Sequence, residues 1–140
     1  MDSSVLFSAA FSAQGGSREL IRMAIRGEAT LVISDYVIEE TKRNLSRKAP
    51  QAGEITQFIL SQVPFEIANP EKHEVLAAGL HVELKDAPVV AAAKKANVDL
   101  LTTLDKKHLL EKSNVAEFAG VPIVTPEDAI TYLRKTKRSS

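Results

Sequence analysis

Four acidic residues, Asp2, Glu40, Asp86 and Asp105, stand at or near the places where helices are expected to begin or strands to end. Asp105 directly follows the run Leu101-Thr102-Thr103-Leu104, Asp86 opens an apolar helical stretch, and Asp2 precedes Val5-Leu6-Phe7. Glu40 falls inside the helix expected after Leu31-Val32-Ile33. Carboxylates packed together repel, so a fold that gathers them needs a cation or a shared proton. Oxygen ligands select hard ions such as Mg²⁺ or Mn²⁺. A bound ion lowers the pKa of a coordinated water and steadies charge on a phosphate, so phosphodiester hydrolysis is the reaction such a group suits. Each acid also has a plainer role. Aspartate is a common helix N-cap, and an acid in a first turn is favoured by the helix dipole. Taken singly, Asp86 and Asp105 fit caps, and Glu40 fits a solvated helix position.

The elements that must position these acids alternate along the chain. Short apolar runs at Leu31–Ile33, Phe65–Ile67, Val98–Leu104 and Val121–Val124 suit strands buried on both faces, as in a parallel sheet. Helical spacing of apolar residues covers Arg18–Arg26, Asp35–Arg47 and Ile55–Gln62. Asp86–Ala96 is apolar almost all round and is expected deep in the structure. Thr125-Pro126-Glu127-Asp128 has the cap, the first-turn proline and the acids of a helix start. The pattern predicts one α/β domain over residues 1–134, with a central, mostly parallel sheet flanked by helices on both faces. Residues 135–140 are expected to form a disordered basic tail. In such folds ligands bind beyond the carboxyl ends of the strands, where acids at strand ends and helix starts can meet. Asp2 is placed as though just after a first strand, of which only Met1 is present.

Composition narrows the chemistry. The 140 residues include no cysteine, which removes disulfides and thiolate metal sites and fits a reducing compartment. His73, His81 and His108 lack ligand spacing, so zinc is not expected. There is neither a bilayer-length apolar run nor a basic-then-apolar leader, so a cytoplasmic protein without a membrane partner is expected. The formal net charge is zero, so any RNA contact must come from local patches. Lys42, Arg43, Arg47 and Lys48 read more simply as a solvated helix face, whereas Lys106 and Lys107 follow Asp105 and are even candidates for phosphate contacts. Phosphate-binding loops of the GxxxxGK[ST] and GxGxxG types are absent.

Four stretches together resemble the PIN-domain ribonucleases, particularly small prokaryotic members that include the toxins of toxin–antitoxin pairs. Asp2-Ser3-Ser4-Val5-Leu6-Phe7 resembles the opening aspartate motif, and Ser34 to Leu45 (SDYVIEETKRNL) the glutamate-bearing helix. Lys85-Asp86-Ala87-Pro88-Val89-Val90 resembles the third acidic motif. Leu101-Thr102-Thr103-Leu104-Asp105 resembles the strand with a hydroxyl residue, one spacer and an aspartate. They follow the family's order between residue 2 and about residue 125. The resemblance implies that Asp2, Glu40, Asp86 and Asp105 are the catalytic acids and bind Mg²⁺ or Mn²⁺, with Glu40 rather than Glu39 in the site. It implies metal-dependent endonucleolytic hydrolysis of RNA, homodimers and, for toxin members, an antitoxin partner. Ser4 stands where the family usually has asparagine, and its hydroxyl is expected to support the site, as is that of Thr103. The alternative is a PIN-like domain that binds RNA or a protein without cutting.

Overall fold

The computed structural model describes residues 1–139. Helix α1 (Ser3–Phe11) starts on Asp2, whose carboxylate accepts from the Ser3 N–H, and buries Val5, Leu6, Ala9 and Ala10. It is followed by α2 (Gly16–Ile25), strand β1 (Val32–Ile33), α3 (Asp35–Lys48), a 3₁₀ turn (Pro50–Ala52), α4 (Gly53–Gln62) and β2 (Glu66–Ile67). Then come α5 (Lys72–Ala78), α6 (Ala87–Ala96), β3 (Leu101–Thr102), a π-type turn (Lys106–Leu110), α7 (Ser113–Ala119), β4 (Ile123–Val124) and α8 (Pro126–Ser139). The basic tail expected from residue 135 is therefore helical as far as Ser139, and Ser140 lies outside the described residues.

The α/β reading holds, but the described strands make two parallel pairs and not one sheet. Val32 and Ile33 lie opposite Glu66 and Ile67, and Leu101 and Thr102 lie opposite Ile123 and Val124. The reason is local. Between β1 and β3 lie only the first two residues, too few for a ladder. The Met1 ammonium donates to the Val32 carbonyl at 2.9 Å, and the Asp2 N–H donates to the Thr102 carbonyl at 3.0 Å. Those two bonds bridge the pairs and anchor Asp2 by its backbone. Burial drives the Met1 ammonium pKa down to about 6, against the pull of the Asp2 carboxylate.

Helices cover this framework. Leu6, Ile21, Ile33, Val37, Leu45, Val90, Leu101 and Leu109 belong to one large apolar cluster, and Val5, Leu20, Met23, Ala129 and Ile130 form a second one joining α1, α2 and α8. The α6 residues Ala87, Val89, Val90, Ala91, Ala92 and Ala93 are all buried, as their near-continuous apolar pattern anticipates. Among the described residues no helix is long and apolar enough to cross a membrane.

Helix α6 stops at Asn97, which adopts the left-handed conformation (φ 51°) that side chains other than asparagine and glycine tolerate poorly. In urea denaturation, Asn97→Gly is expected to stay within about 0.5 kcal/mol of the parent, and Asn97→Val to lose about 1–2 kcal/mol.

Candidate metal centre

Asp2, Glu40, Asp86 and Asp105 line one open cleft of about 470 Å³, together with Ser3, Ser4, Asn44, Lys48 and Lys85. Asp2 comes from the start of α1, Glu40 from the second turn of α3, Asp86 from the start of α6, and Asp105 from the turn after β3. Helix α3 begins on Ser34, whose hydroxyl accepts from the Val37 N–H, and this start sets the phase that turns Glu40 to the cleft and leaves Glu39 exposed.

Three of the acids have partners. Asp2 is buried; its Oδ1 accepts from the Ser3 N–H at 2.8 Å, and its Oδ2 from Thr103 Oγ1 at 2.7 Å and Ser4 Oγ at 2.9 Å. Glu40 Oε1 accepts from the Ser3 hydroxyl. Glu40 Oε2 lies 3.1 Å from the Tyr36 hydroxyl, which also reaches the Lys85 carbonyl at 3.0 Å. Burial, followed by the Glu40 charge, raises the Tyr36 pKa to about 12, so this phenol remains a donor. Asp105 Oδ1 accepts from the His108 N–H at 3.0 Å, capping the π-type turn. Burial pushes the Asp105 pKa up, but the His108 amide and the charge of Lys85 outweigh it and hold the carboxyl below its ordinary value.

Asp86 differs. Its side chain makes no capping hydrogen bond to α6, so the plainer reading as an N-cap does not describe it. The residue is 6% exposed, and its Oδ2 has no hydrogen-bond partner. Burial raises its pKa to about 6 despite the nearby Lys85 ammonium, and the Asp2 and Asp105 carboxylates push in the same direction. Lys85 Nζ stands 4.0 Å from Asp86 Oδ2 and 3.5 Å from Asp105 Oδ2, a cation lodged between two carboxylates. Burial would lower the Lys85 pKa, but the two acids raise it on balance, so it stays charged. One ligand atom each from Asp86, Asp105 and His108 lie within 4.8 Å of one another. An orphaned carboxylate oxygen beside a second carboxylate and an imidazole suits a divalent cation.

The hydroxyl residues act as couplings. Thr103, fully buried, donates to Asp2 and accepts from the Asp105 N–H at 2.9 Å, so one hydroxyl ties residue 2 to residue 105. Ser4 donates to Asp2 and accepts from the Leu104 N–H at 3.0 Å. Lys106 and Lys107 are exposed and do not line the cleft, and Lys107 faces a separate hollow beside His81 and Lys112. The basic residues in the cleft are Lys48 and Lys85. Lys48, read from the sequence as part of a solvated helix face, lines the cleft instead. Lys85, Ser3 and Tyr36 were not singled out for the site.

A buried carboxyl with a raised pKa costs stability once it ionises. Below about pH 4 Asp86 is protonated in both folded and unfolded chains, and no penalty arises. Between about pH 4 and 6 the folded state holds a proton that the unfolded state has lost, so stability falls with rising pH, and the full penalty remains above pH 6. Asp86→Asn is therefore expected to stabilise the metal-free protein by about 2 kcal/mol at pH 8. The gain should shrink below pH 6 and vanish near pH 4, as read by urea denaturation across pH.

The PIN domain family model matches residues 1–107, a span that contains all four acids together with Ser4, Thr103 and Lys85. No curated protein and no solved structure is a significant match. PIN domains are generally nucleases. With its matched span covering most of the chain and the acids gathered at one cleft, the chain belongs to the PIN domain family.

Proposed function

We propose that this protein is a divalent-metal-dependent endoribonuclease. The observation that carries the reading is Asp86: a buried carboxylate oxygen with no hydrogen-bond partner, in a cleft shared with three further acids. A folded chain keeps such an atom at a cost, and a Mg²⁺ or Mn²⁺ ion would remove that cost. Asp86 and Asp105 are the principal ligands in this reading, with Asp2 and Glu40 completing the acidic wall. A divalent ion bound there would supply Lewis acidity toward a phosphodiester and would lower the pKa of water so that hydroxide is available as nucleophile near neutral pH.

The chain's own groups do the positioning. Thr103 and Ser4 hold the Asp2 carboxylate in a fixed orientation, and Ser3 and Tyr36 do so for Glu40. Lys85 and Lys48 stand in the cleft as cations that can receive the phosphate backbone of a single-stranded RNA. The cleft is open rather than a closed pocket, which suits a polymer that enters from the side. RNA is the substrate favoured over a small phosphate ester for that reason. A toxin held by an antitoxin is one form that such an enzyme takes.

A second reading is a PIN-like domain that binds RNA or a protein without cutting. It is favoured by Lys85, which already places a cation against Asp86 and Asp105. Calorimetric titration with Mn²⁺ separates the two, because only the nuclease reading requires saturable binding.

End-labelled single-stranded RNA incubated with the purified protein should be cleaved in Mn²⁺ or Mg²⁺ and left intact in EDTA. Asp105→Asn and Asp86→Asn should each lower the rate roughly a hundredfold or more, the scale seen when one electrostatic group at a reacting centre is removed. Undiminished cleavage by either variant, folded by circular dichroism, would overturn the assignment.

Thr103→Val keeps the β-branched shape but deletes the hydroxyl that ties Asp2 to Asp105. It should cost about 2 kcal/mol in urea denaturation and lower the cleavage rate, whereas Thr103→Ser should recover most of both.

A further inference from the structure

We propose that the His108 imidazole is a nitrogen donor in this metal centre, and that the site therefore prefers Mn²⁺ and the later first-row ions to Mg²⁺. The proposal rests on the nuclease reading above, which named only carboxylates as ligands. His108 lies just beyond the residues matched by the family model.

The first argument is position. The π-type turn begins at Asp105, and its fold returns His108 to the same side, with Nδ1 3.3 Å from Asp105 Oδ2. Two donors on one ion, each bound at about 2.1 Å, stand roughly 3 to 4.2 Å apart. The donor atoms of Asp86, Asp105 and His108 all lie within 4.8 Å of one another, so sub-ångström shifts close the group around an ion.

The second argument is proton counting. Nδ1 faces Asp105 and Nε2 faces Glu83 Oε1 at 3.2 Å. A neutral imidazole has one N–H to give and here meets two carboxylates. If Nε2–H donates to Glu83, the Nδ1 lone pair points at a carboxylate oxygen, an arrangement that either a second ring proton or a metal ion between them relieves. A metal-bound histidine whose far nitrogen donates to a carboxylate is a common arrangement, and Glu83 would fix the ring and its tautomer. Meanwhile the backbone N–H of His108 occupies Asp105 Oδ1, and Oδ2, which only the half-exposed Lys85 ammonium reaches at 3.5 Å besides the imidazole, is the oxygen a cation would take.

The third argument is Asp86. Its Oδ2 is buried and without a hydrogen-bond partner, an independent sign of an absent positive ligand at this place. Lys85 donates a long hydrogen bond to Asp105 Oδ2 at 3.5 Å and stands 4.0 Å from Asp86 Oδ2, which leaves the Asp86 oxygen without a donor.

Imidazole nitrogen suits later first-row ions such as Fe²⁺, Ni²⁺ and Zn²⁺ best, and Mn²⁺, first in that series, accepts it more readily than Mg²⁺, which keeps to oxygen and water, so one nitrogen shifts selectivity away from Mg²⁺. The test uses the full chain with Mn²⁺ alone as probe. Pulsed electron paramagnetic resonance should show imidazole ¹⁴N modulation in the bound ion, and His108→Gln should abolish it. In calorimetry that variant should bind Mn²⁺ about tenfold more weakly while its Mg²⁺ affinity changes less than about twofold. Saturable Mn²⁺ binding without nitrogen coupling overturns His108 as a donor and leaves the carboxylate site standing. Coupling that persists in His108→Gln also overturns it. If Mn²⁺ does not bind saturably at all, this inference and the nuclease reading fall together. Should His108→Gln fail to fold, the spectrum of the parent protein decides.

Discussion

Two unit charges 4 Å apart repel by about 4 kcal/mol at the dielectric typical of a protein surface, and the cleft gathers four carboxylates. The surrounding structure distributes that burden. Asp2 receives an amide and two hydroxyls, Glu40 two hydroxyls, and Asp105 an amide and a lysine. Asp86 receives only a lysine at the edge of ion-pair range, and its raised pKa records the remainder. The strain of the site is thus concentrated on one residue at the start of a deeply buried helix.

The same interactions explain how acids from remote parts of the chain arrive together. The Asp2 N–H is fixed to Thr102, and its side chain is fixed to Thr103, the next residue along. Thr103 passes the constraint to Asp105 through that residue's N–H. On the other side, Met1 joins β1 through Val32, and β1 leads directly into the Ser34 cap of α3. Strands of only two residues then suffice as anchors, because the first two residues of the chain link both pairs.

Much of this was legible in the sequence because it rests on local rules. All four strand runs, the phase of Glu40 and the burial of α6 follow from periodicity and from short apolar runs. The extent of pairing was not legible, since apolar runs announce burial and not ladder length. Helix α1 was hidden by Ser3, Ser4 and Ser8, which interrupt the apolar pattern, and α5 and α7, with seven residues each, are too short to show a period. Lys106 and Lys107 stood beside Asp105 in sequence, yet the π-type turn carries them away from the cleft, while His108 lines the neighbouring hollow and keeps its Nδ1 3.3 Å from Asp105 Oδ2. Whether Asp86 was a cap or a ligand could not be read from its position, because both roles place an aspartate before a helix. The side chain's lack of a capping bond sets the cap reading aside.

Lys85 is the part of the site with two physical roles that oppose each other. Before any ion binds, its ammonium moderates the repulsion between Asp86 and Asp105 and so helps the chain to close around them. In the nuclease reading, a divalent ion taking that place would make the lysine a like charge beside it, which would gain by moving away. Its side chain is about half exposed, so it can leave without breaking the core. On that same reading, the negative groups then within its reach would be Glu83 and the backbone of a bound RNA, which would couple loading of the ion to capture of substrate. A fixed arginine paired with both carboxylates would block the ion, and an apolar residue would leave the acids unmoderated during folding. A long, flexible, strongly hydrated cation meets both requirements, which is the physical case for lysine at this position.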